Sequence, residues 1–253
     1  MRIRNPGRGT RPGTVAGRLP RWLSFGVAPF AFSLVISLAL TAYADAHSGG
    51  TNGVSPASGS SRKLSLTQLM NLAPVLPRRA PDFVLTDQRG QRVRLTSFRG
   101  KAVLLGFYDP HCTQACPVVA QMLLAAQKDL GPYAARVVFM GVNVNPGAES
   151  VAAIRHFTKV HGLTRLPDWY FLTGSTAALA AVWRNYEISV SQAPGATQTV
   201  HSDYLYFLSP LGTERYLAQP LTRERHGVGY LPGGTIARWG HGIAQYLKLA
   251  GSS

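Results

Sequence analysis

Strands alternating with helices, followed by a terminal hairpin and a closing helix, predict a three-layer α/β domain. Three observations carry that prediction. Near-continuous apolar runs at residues 102–108 and 136–142 read as central strands covered on both faces. Each run is followed by a helix-like pattern that stops at glycine or proline. Short alternating pieces near both ends of the folded region read as hairpins.

The first part of the chain is not read as domain. Residues 1–21 carry six arginines (Arg2, Arg4, Arg8, Arg11, Arg18 and Arg21) and no acid, and residues 22–44 carry no charge at all. A basic stretch followed by an apolar one is an export signature, and the basic end stays on the cytoplasmic side. The expectation is a basic cytoplasmic n-region at 1–21, then a transmembrane anchor or signal segment at 22–44. The uncharged run has 23 residues, and a bilayer span needs roughly 20. Ala42-Tyr43-Ala44 and Ala44-Asp45-Ala46 also resemble cleavage sites, so a retained single span and a cleaved leader both stay open. No cysteine lies near the segment's end for lipid attachment, and no adjacent arginine pair precedes it. In either case the domain is expected on the extracytoplasmic side of a bacterial-type cell membrane, or exported and soluble if the leader is cleaved.

Residues 45–79 read as a flexible tether. Its first part is rich in Gly, Ser, Ala, Thr and Asn and includes a solvated His47. A short amphipathic piece at 64–70 is expected to pack on the domain edge. The folded unit is expected over 80–250. Residues 81–85 and 93–95 flank Asp87-Gln88-Arg89-Gly90, a hairpin signal. A turn at 97–101 leads into the first central strand, 102–108.

Asp109-Pro110-His111-Cys112-Thr113-Gln114-Ala115-Cys116-Pro117 follows, with the only two cysteines in the chain. A helix runs from here to about 130, and Pro117 suits its first turn. With four-residue spacing, both sulfurs lie on one face if that turn is helical, and both can point at a metal ion or at each other. A helix N-terminus favours thiolate, the form that binds metal and attacks disulfides. So small a loop gains little stability from being closed by a disulfide, which argues for chemistry rather than stapling. His111 is read as an imidazolium that helps hold the thiolate, and Asp109 as a charge that would raise a thiol pKa.

A second strand at 136–142, a helix at 149–161 stopped by Gly162, and a third strand at 169–172 come next. Ser175 N-caps a helix through 186. Residues 191–199 read as a loop, 204–208 and 214–217 as a second hairpin, 219–234 as Pro-, Gly- and charge-rich chain, and 235–249 as the closing helix.

The net charge of +15 comes partly from the leader: residues 22–253 hold 20 basic against 11 acidic side chains, a net +9. That is read as ordinary solvated surface. No basic run interleaved with aromatics suggests a nucleic-acid module.

This order, with the cysteine pair at the first strand-to-helix turn, resembles the thioredoxin fold. The C-x-x-x-C-P spacing, the N-terminal apolar segment and a His about 85 residues on (Cys116 to His201) are similar to the Sco/SenC family. Further matching pieces are Ala80-Pro81-Asp82-Phe83, Ser97-Phe98-Arg99-Gly100-Lys101, Phe171-Leu172-Thr173-Gly174-Ser175, and the segment 201–212 beginning His201-Ser202-Asp203. The resemblance covers residues 80 to about 217. It implies a thioredoxin-like three-layer fold with an N-terminal β-hairpin and a C-terminal hairpin plus helix.

It also implies a copper metallochaperone, a binding protein rather than an enzyme, that delivers copper to the dinuclear copper site of cytochrome c oxidase. The implied metal ligands are Cys112, Cys116 and His201. Soft thiolates suit Cu(I), and imidazole accepts both Cu(I) and Cu(II). His201 is expected to begin a strand after a flexible loop, free to swing onto and off the metal.

The implied partners are a cytochrome c oxidase copper-site subunit or another copper acceptor, and the membrane through the N-terminal segment, with no nucleic acid. The alternative is a thiol–disulfide reductase acting through Cys112 and Cys116 as a redox pair on the cysteines of a copper-site protein. A peroxide-reducing or redox-sensing thiol protein is a third reading, without the supporting Arg and Thr around Cys112. One departure stands out. Many family members carry an acid in a V-D-P loop where this chain reads Val144-Asn145-Pro146, which puts Cu(II) affinity or delivery in doubt. His156, His161, His226 and His241 are read as structural or solvated.

Overall fold

The apolar run 102–108 forms the central strand, buried at all seven positions. A computed structural model of the protein describes residues 64–220, 222–225, 228–231 and 235–252. They fall within one compact unit, Gly59–Ser253. The n-region, the apolar segment, the tether up to 63 with His47, and His226 lie outside the described residues.

The chain first forms α1 (Leu66–Leu69), β1 (Ala73–Pro74), β2 (Val84–Asp87), β3 (Arg92–Arg94), β4 (Ala102–Tyr108) and α2 (Ala115–Leu130). Next come β5 (Val137–Asn143), α3 (Val151–Val160), β6 (Trp169–Thr173), α4 (Thr176–Asn185), β7 (Val190–Ser191) and β8 (Val200–His201). The chain closes with β9 (Leu205–Leu208), β10 (Glu214–Ala218), β11 (Arg223–Arg225), β12 (Val228–Tyr230) and α5 (Thr235–Gly251). Eight strands make one sheet in the order β1-β10-β9-β4-β5-β6-β2-β3. β4, β5 and β6 run parallel, while β9 joins β4 and β2 joins β6 antiparallel.

Alternation along β4 divides the core. Leu104 and Tyr108 pack with α2, α3 and α5, including Leu123, Phe157 and Trp239. Val103, Leu105 and Phe107 pack with α4 through Leu179, Val182 and Trp183. Helices on both faces make the expected three layers, and the two terminal hairpins fall where the alternating pieces lie. The fold is thioredoxin-like.

Local chemistry explains most boundaries. Ser150 and Ser175 cap α3 and α4 by accepting from the N–H of Ala153 and Ala178. Gly162 follows α3 in the left-handed region, φ 67°. Gly106 and Gly141 sit opposite each other on β4 and β5. The Tyr108 ring lies over both, and a Cβ at Gly141 would come within 2.7 Å of it. That slot fixes the last residue of β4, where the cysteine turn begins.

Two expectations gain detail and one needs correction. The stretch 219–234, read only as rich in Pro, Gly and charge, holds a small hairpin, β11–β12. The loop 191–199 is flanked by a two-residue ladder, β7–β8. His201 ends β8 in that ladder and does not begin β9. These ladders are too short for alternation to reveal them.

Candidate metal centre

α2 begins at Ala115, so Cys116 and Pro117 both lie in its first turn. The helix has no side-chain cap from its N-cap residue, Gln114. Cys112 supplies the missing acceptor. Its own N–H bonds the Asp109 carbonyl at 3.0 Å, and its Sγ accepts from the Cys116 backbone N–H at 3.4 Å. A thiolate there faces the N–H groups of an open helix end.

The two thiols are unequal. Cys112 is half-buried and Cys116 is buried, and they form no disulfide. The hydrogen bond from Cys116 pulls the Cys112 pKa down to about 6, against burial, with help from the backbone N–H groups of residues 114–116. Cys116 is pushed up by that same hydrogen bond, by burial and by nearby negative charge. Cys112 is the thiolate of the pair and Cys116 the thiol that supports it.

His111 does not supply that support. Its Nδ1 lies 3.2 Å from the Thr197 carbonyl, and the thiolate is held by Cys116 and the helix backbone. Nor does Asp109 raise the thiol pKa values. The acid whose charge is felt at Cys116 is Asp203. Asp203 itself is pushed up by burial and pulled down by His201. Cys116, Tyr108, Asp203 and Tyr204 line one small cavity between α2 and the β8–β9 connection. Burial raises the Tyr108 pKa, with smaller contributions from Cys116 and Asp203.

His201 is placed near this cavity but is turned to its own neighbours. Its Nδ1 lies 3.2 Å from the Ser202 carbonyl and 3.4 Å from Asp203 Oδ1, with the side chain 6% exposed. An occupied Nδ1 leaves Nε2 as the nitrogen available to a metal, as in carboxylate–histidine pairs behind metal sites. Among the described residues no three His, Cys, Asp or Glu side chains are gathered closely enough to hold a metal ion. The structure therefore brings Cys112 and Cys116 together and leaves His201 apart from them. Two soft sulfurs with an imidazole in reserve are a donor set suited to Cu(I).

The expected flexible loop before His201 is tied down on the cysteine turn. Asn145 Nδ2 donates to the Thr197 carbonyl at 2.8 Å, and Thr199 N–H donates to Asp109 Oδ2 at 2.7 Å. Asn145 is buried and also donates to Asp109 Oδ1 at 2.8 Å. A carboxylate at 145 would there face the carboxylate of Asp109, so the neutral amide suits its surroundings. Sequence reasoning singled out Asn145 only as a missing acid, and it missed Asp203 and Thr199 as site residues. Of those two, only Asp203 left a signal, an acid two residues beyond a candidate ligand. His161 packs edge-on against Phe157 with ring centroids 4.3 Å apart. His241 Nδ1 lies 3.3 Å from Asp129, and His156 is exposed. These three are structural or solvated, as expected.

Fold and site define a thioredoxin-like protein with an unequal thiol pair at its first strand-to-helix turn. The family model described as SCO1/SenC matches residues 76–227, more than half of the chain, and the chain belongs to that family. A mitochondrial SCO2 homologue of Mus musculus is 33% identical over 138 residues, 52% of each chain. The chain thus spans about half the length of the curated relatives it matches. ScoI of Bradyrhizobium japonicum with copper bound superposes with a TM-score of 0.53 at 22% identity, over 68% of this chain and 99% of that one. BsSco, described with a disulfide switch and as a member of the Sco family of cytochrome c oxidase assembly proteins, gives 0.53 at 24% identity, over 69% and 94%. Among the described residues no helix is long and apolar enough to cross a membrane.

Proposed function

We propose that this chain carries copper to a copper site of cytochrome c oxidase. Cys112 and Cys116 hold Cu(I), and His201 joins them through Nε2 for Cu(II). The observation that supports the reading most directly is the thiol pair itself. Cys112 is held as thiolate near neutral pH, and a second sulfur sits one helical turn away with no disulfide between them. The description of ScoI with copper bound supports copper as the cargo. The uncharged run at 22–44 anchors the chain, with the folded unit of residues 80–250 on the extracytoplasmic side. The acceptor is the oxidase's copper-site subunit or another envelope copper protein.

His201 reaches the sulfurs by leaving Asp203, a local rearrangement of the β8–β9 connection. Copper competition on the purified, reduced full chain tests this reading. The wild type is expected to bind one tight Cu(I) that Cys112→Ser eliminates, and His201→Ala to lose tight Cu(II) while keeping thiol exchange. Unchanged Cu(II) affinity in His201→Ala would remove the histidine from the ligand set.

A second reading rests on the unequal pKa values. The Cys112 thiolate attacks a partner disulfide, forming a mixed disulfide and releasing one partner thiolate. Cys116 then loses its proton and attacks the Cys112 sulfur. The second partner thiol leaves, and the pair is oxidised to a Cys112–Cys116 disulfide. His201 is dispensable in that reaction, which separates it from copper transport.

A further inference from the structure

We propose that Asp109 is the positioning residue of this site, whose buried carboxylate clamps the strand bearing His201 to the turn bearing the cysteines. The proposal rests on the copper reading above, in which His201 and the cysteines act together. Asp109 is 0% exposed. Oδ1 accepts from His111 N–H at 2.8 Å and from Asn145 Nδ2 at 2.8 Å. Oδ2 accepts from Thr199 N–H at 2.7 Å and Thr199 Oγ1 at 3.1 Å. Those donors come from the cysteine turn, the loop after β5 and the segment entering β8. They fill the roughly four acceptor positions of a carboxylate. No cation pairs with Asp109 among the described residues.

A buried charge is costly unless hydrogen bonds repay it. An asparagine at 109 would not form the same set. Its NH2 group would point at N–H donors on one side or the other.

Asn145 is fixed just as firmly. Its two amide hydrogens go to Asp109 Oδ1 and the Thr197 carbonyl, and its Oδ1 accepts from Gly147 N–H at 2.8 Å. Turning the amide over would break all three bonds. Gln198 Nε2 adds a 3.4 Å contact to Thr113 Oγ1. Residues 197–199 are therefore pinned to the cysteine turn. Thr199 lies two residues before His201, and Asp109 three before Cys112. Of these ties, the two nearest His201 along the chain, both from Thr199, end on the Asp109 carboxylate.

A double-mutant cycle on the purified full chain tests this, read by Cu(II) affinity and by the thiolate-to-Cu(II) absorption band. Asp109→Asn is expected to weaken Cu(II) about tenfold, the size of one lost hydrogen bond to a charged group, and to diminish the band. In the His201→Ala background the same substitution is expected to change affinity little, because the clamp acts through that histidine. An equal loss in both backgrounds would overturn the proposal. Without metal, the Thr199 amide is expected to exchange with solvent about tenfold faster in Asp109→Asn. Unchanged protection would also overturn it. Wild type that takes no copper would sink the copper reading alone, since the exchange measurement stands without metal. If Asp109→Asn does not fold, Thr199→Val decides by the same cycle. It removes only the hydroxyl bond and is expected to cost about threefold.

Discussion

Cys112 and Cys116 are placed by one local event, the passage from β4 into α2. His201 is placed by groups drawn from three separate stretches of chain. The cysteine turn needs only a strand end fixed by Tyr108 over Gly106 and Gly141 and an uncapped helix start that the Cys112 sulfur completes. The histidine arm is held by Asp109, Asn145 and His111 from one side and by Asp203 from the other. A locally built element forms wherever its strand and helix form. An arm held by hydrogen bonds to other segments can be released by losing a few of them. That difference suits the proposed copper site, in which two ligands stay put and the third moves.

The sharpest break in this comparison is Cys112→Ser. It removes the soft thiolate while leaving a hydroxyl oxygen that can still accept from the Cys116 N–H, so Cu(I) binding is expected to vanish, not merely weaken. His201→Ala is expected to leave Cu(I) held by the pair. Equal Cu(I) loss in the two variants, measured by chelator competition, would show that the arm and the turn are not distinct in function.

The next effect in size tests the rigid half. Gly141→Ala would place a Cβ 2.7 Å from the Tyr108 ring and 3.1 Å from Trp169. Overpacking of this kind costs about 1–3 kcal/mol. Urea unfolding is expected to show that loss, with the Cys112 thiol titration disturbed as well, because Tyr108 leads directly into the turn. A full loss of stability with an unmoved titration would mean that the turn is set by α2 alone.

The same contrast explains what could be read from the sequence. Residues 102–108 announce a buried strand by composition, Ser175 announces a helix start, and the cysteine spacing announces a shared helical face. Each is a local signal. Asp109 and Asn145 lie 36 positions apart, and Asp109 and Thr199 lie 90 apart. No periodicity links such residues. Asn145 was legible only as a missing acid, and its fit becomes clear once the Asp109 carboxylate is seen against it. The β7–β8 ladder escaped for the same reason. Two paired residues on each side carry no pattern, and their register is fixed by what the intervening loop rests on.

Cys116→Ala sharpens the comparison within the turn. Cys116 is the largest single cause of the lowered Cys112 pKa of about 6. Its removal is expected to raise the midpoint of ultraviolet thiolate absorbance by about one to two pH units, the backbone N–H groups retaining the rest. Stability should follow with a defined sign. A lowered thiol pKa stabilises the fold at pH above the unfolded value, about 8.5, and that contribution is lost as pH falls through about 6. Cys116, raised instead, loses stability for the fold as pH climbs beyond about 8.5. Wild type should therefore gain stability from pH 6 towards 8.5 and lose it above, and Cys116→Ala should flatten both slopes. Slopes unchanged in the variant would place their origin outside the thiol pair.

His111→Ala is expected to have the smallest effect on the turn, although the residue adjoins Cys112. Its ring nitrogen meets the Thr197 carbonyl, and the thiolate is held by Cys116 and by the N–H groups of residues 114–116. The thiolate midpoint should move by less than about 0.3 pH unit, whereas an imidazolium in direct support of the sulfur would be worth about a full unit. The arm loses one of the two groups bonded to the Thr197 carbonyl and keeps Asn145, so any change in Cu(II) binding should be about twofold, that of a single partly exposed hydrogen bond. A midpoint that rose by a unit would transfer His111 from the arm to the turn. It would also make the thiolate depend on a side chain that the arm can pull away.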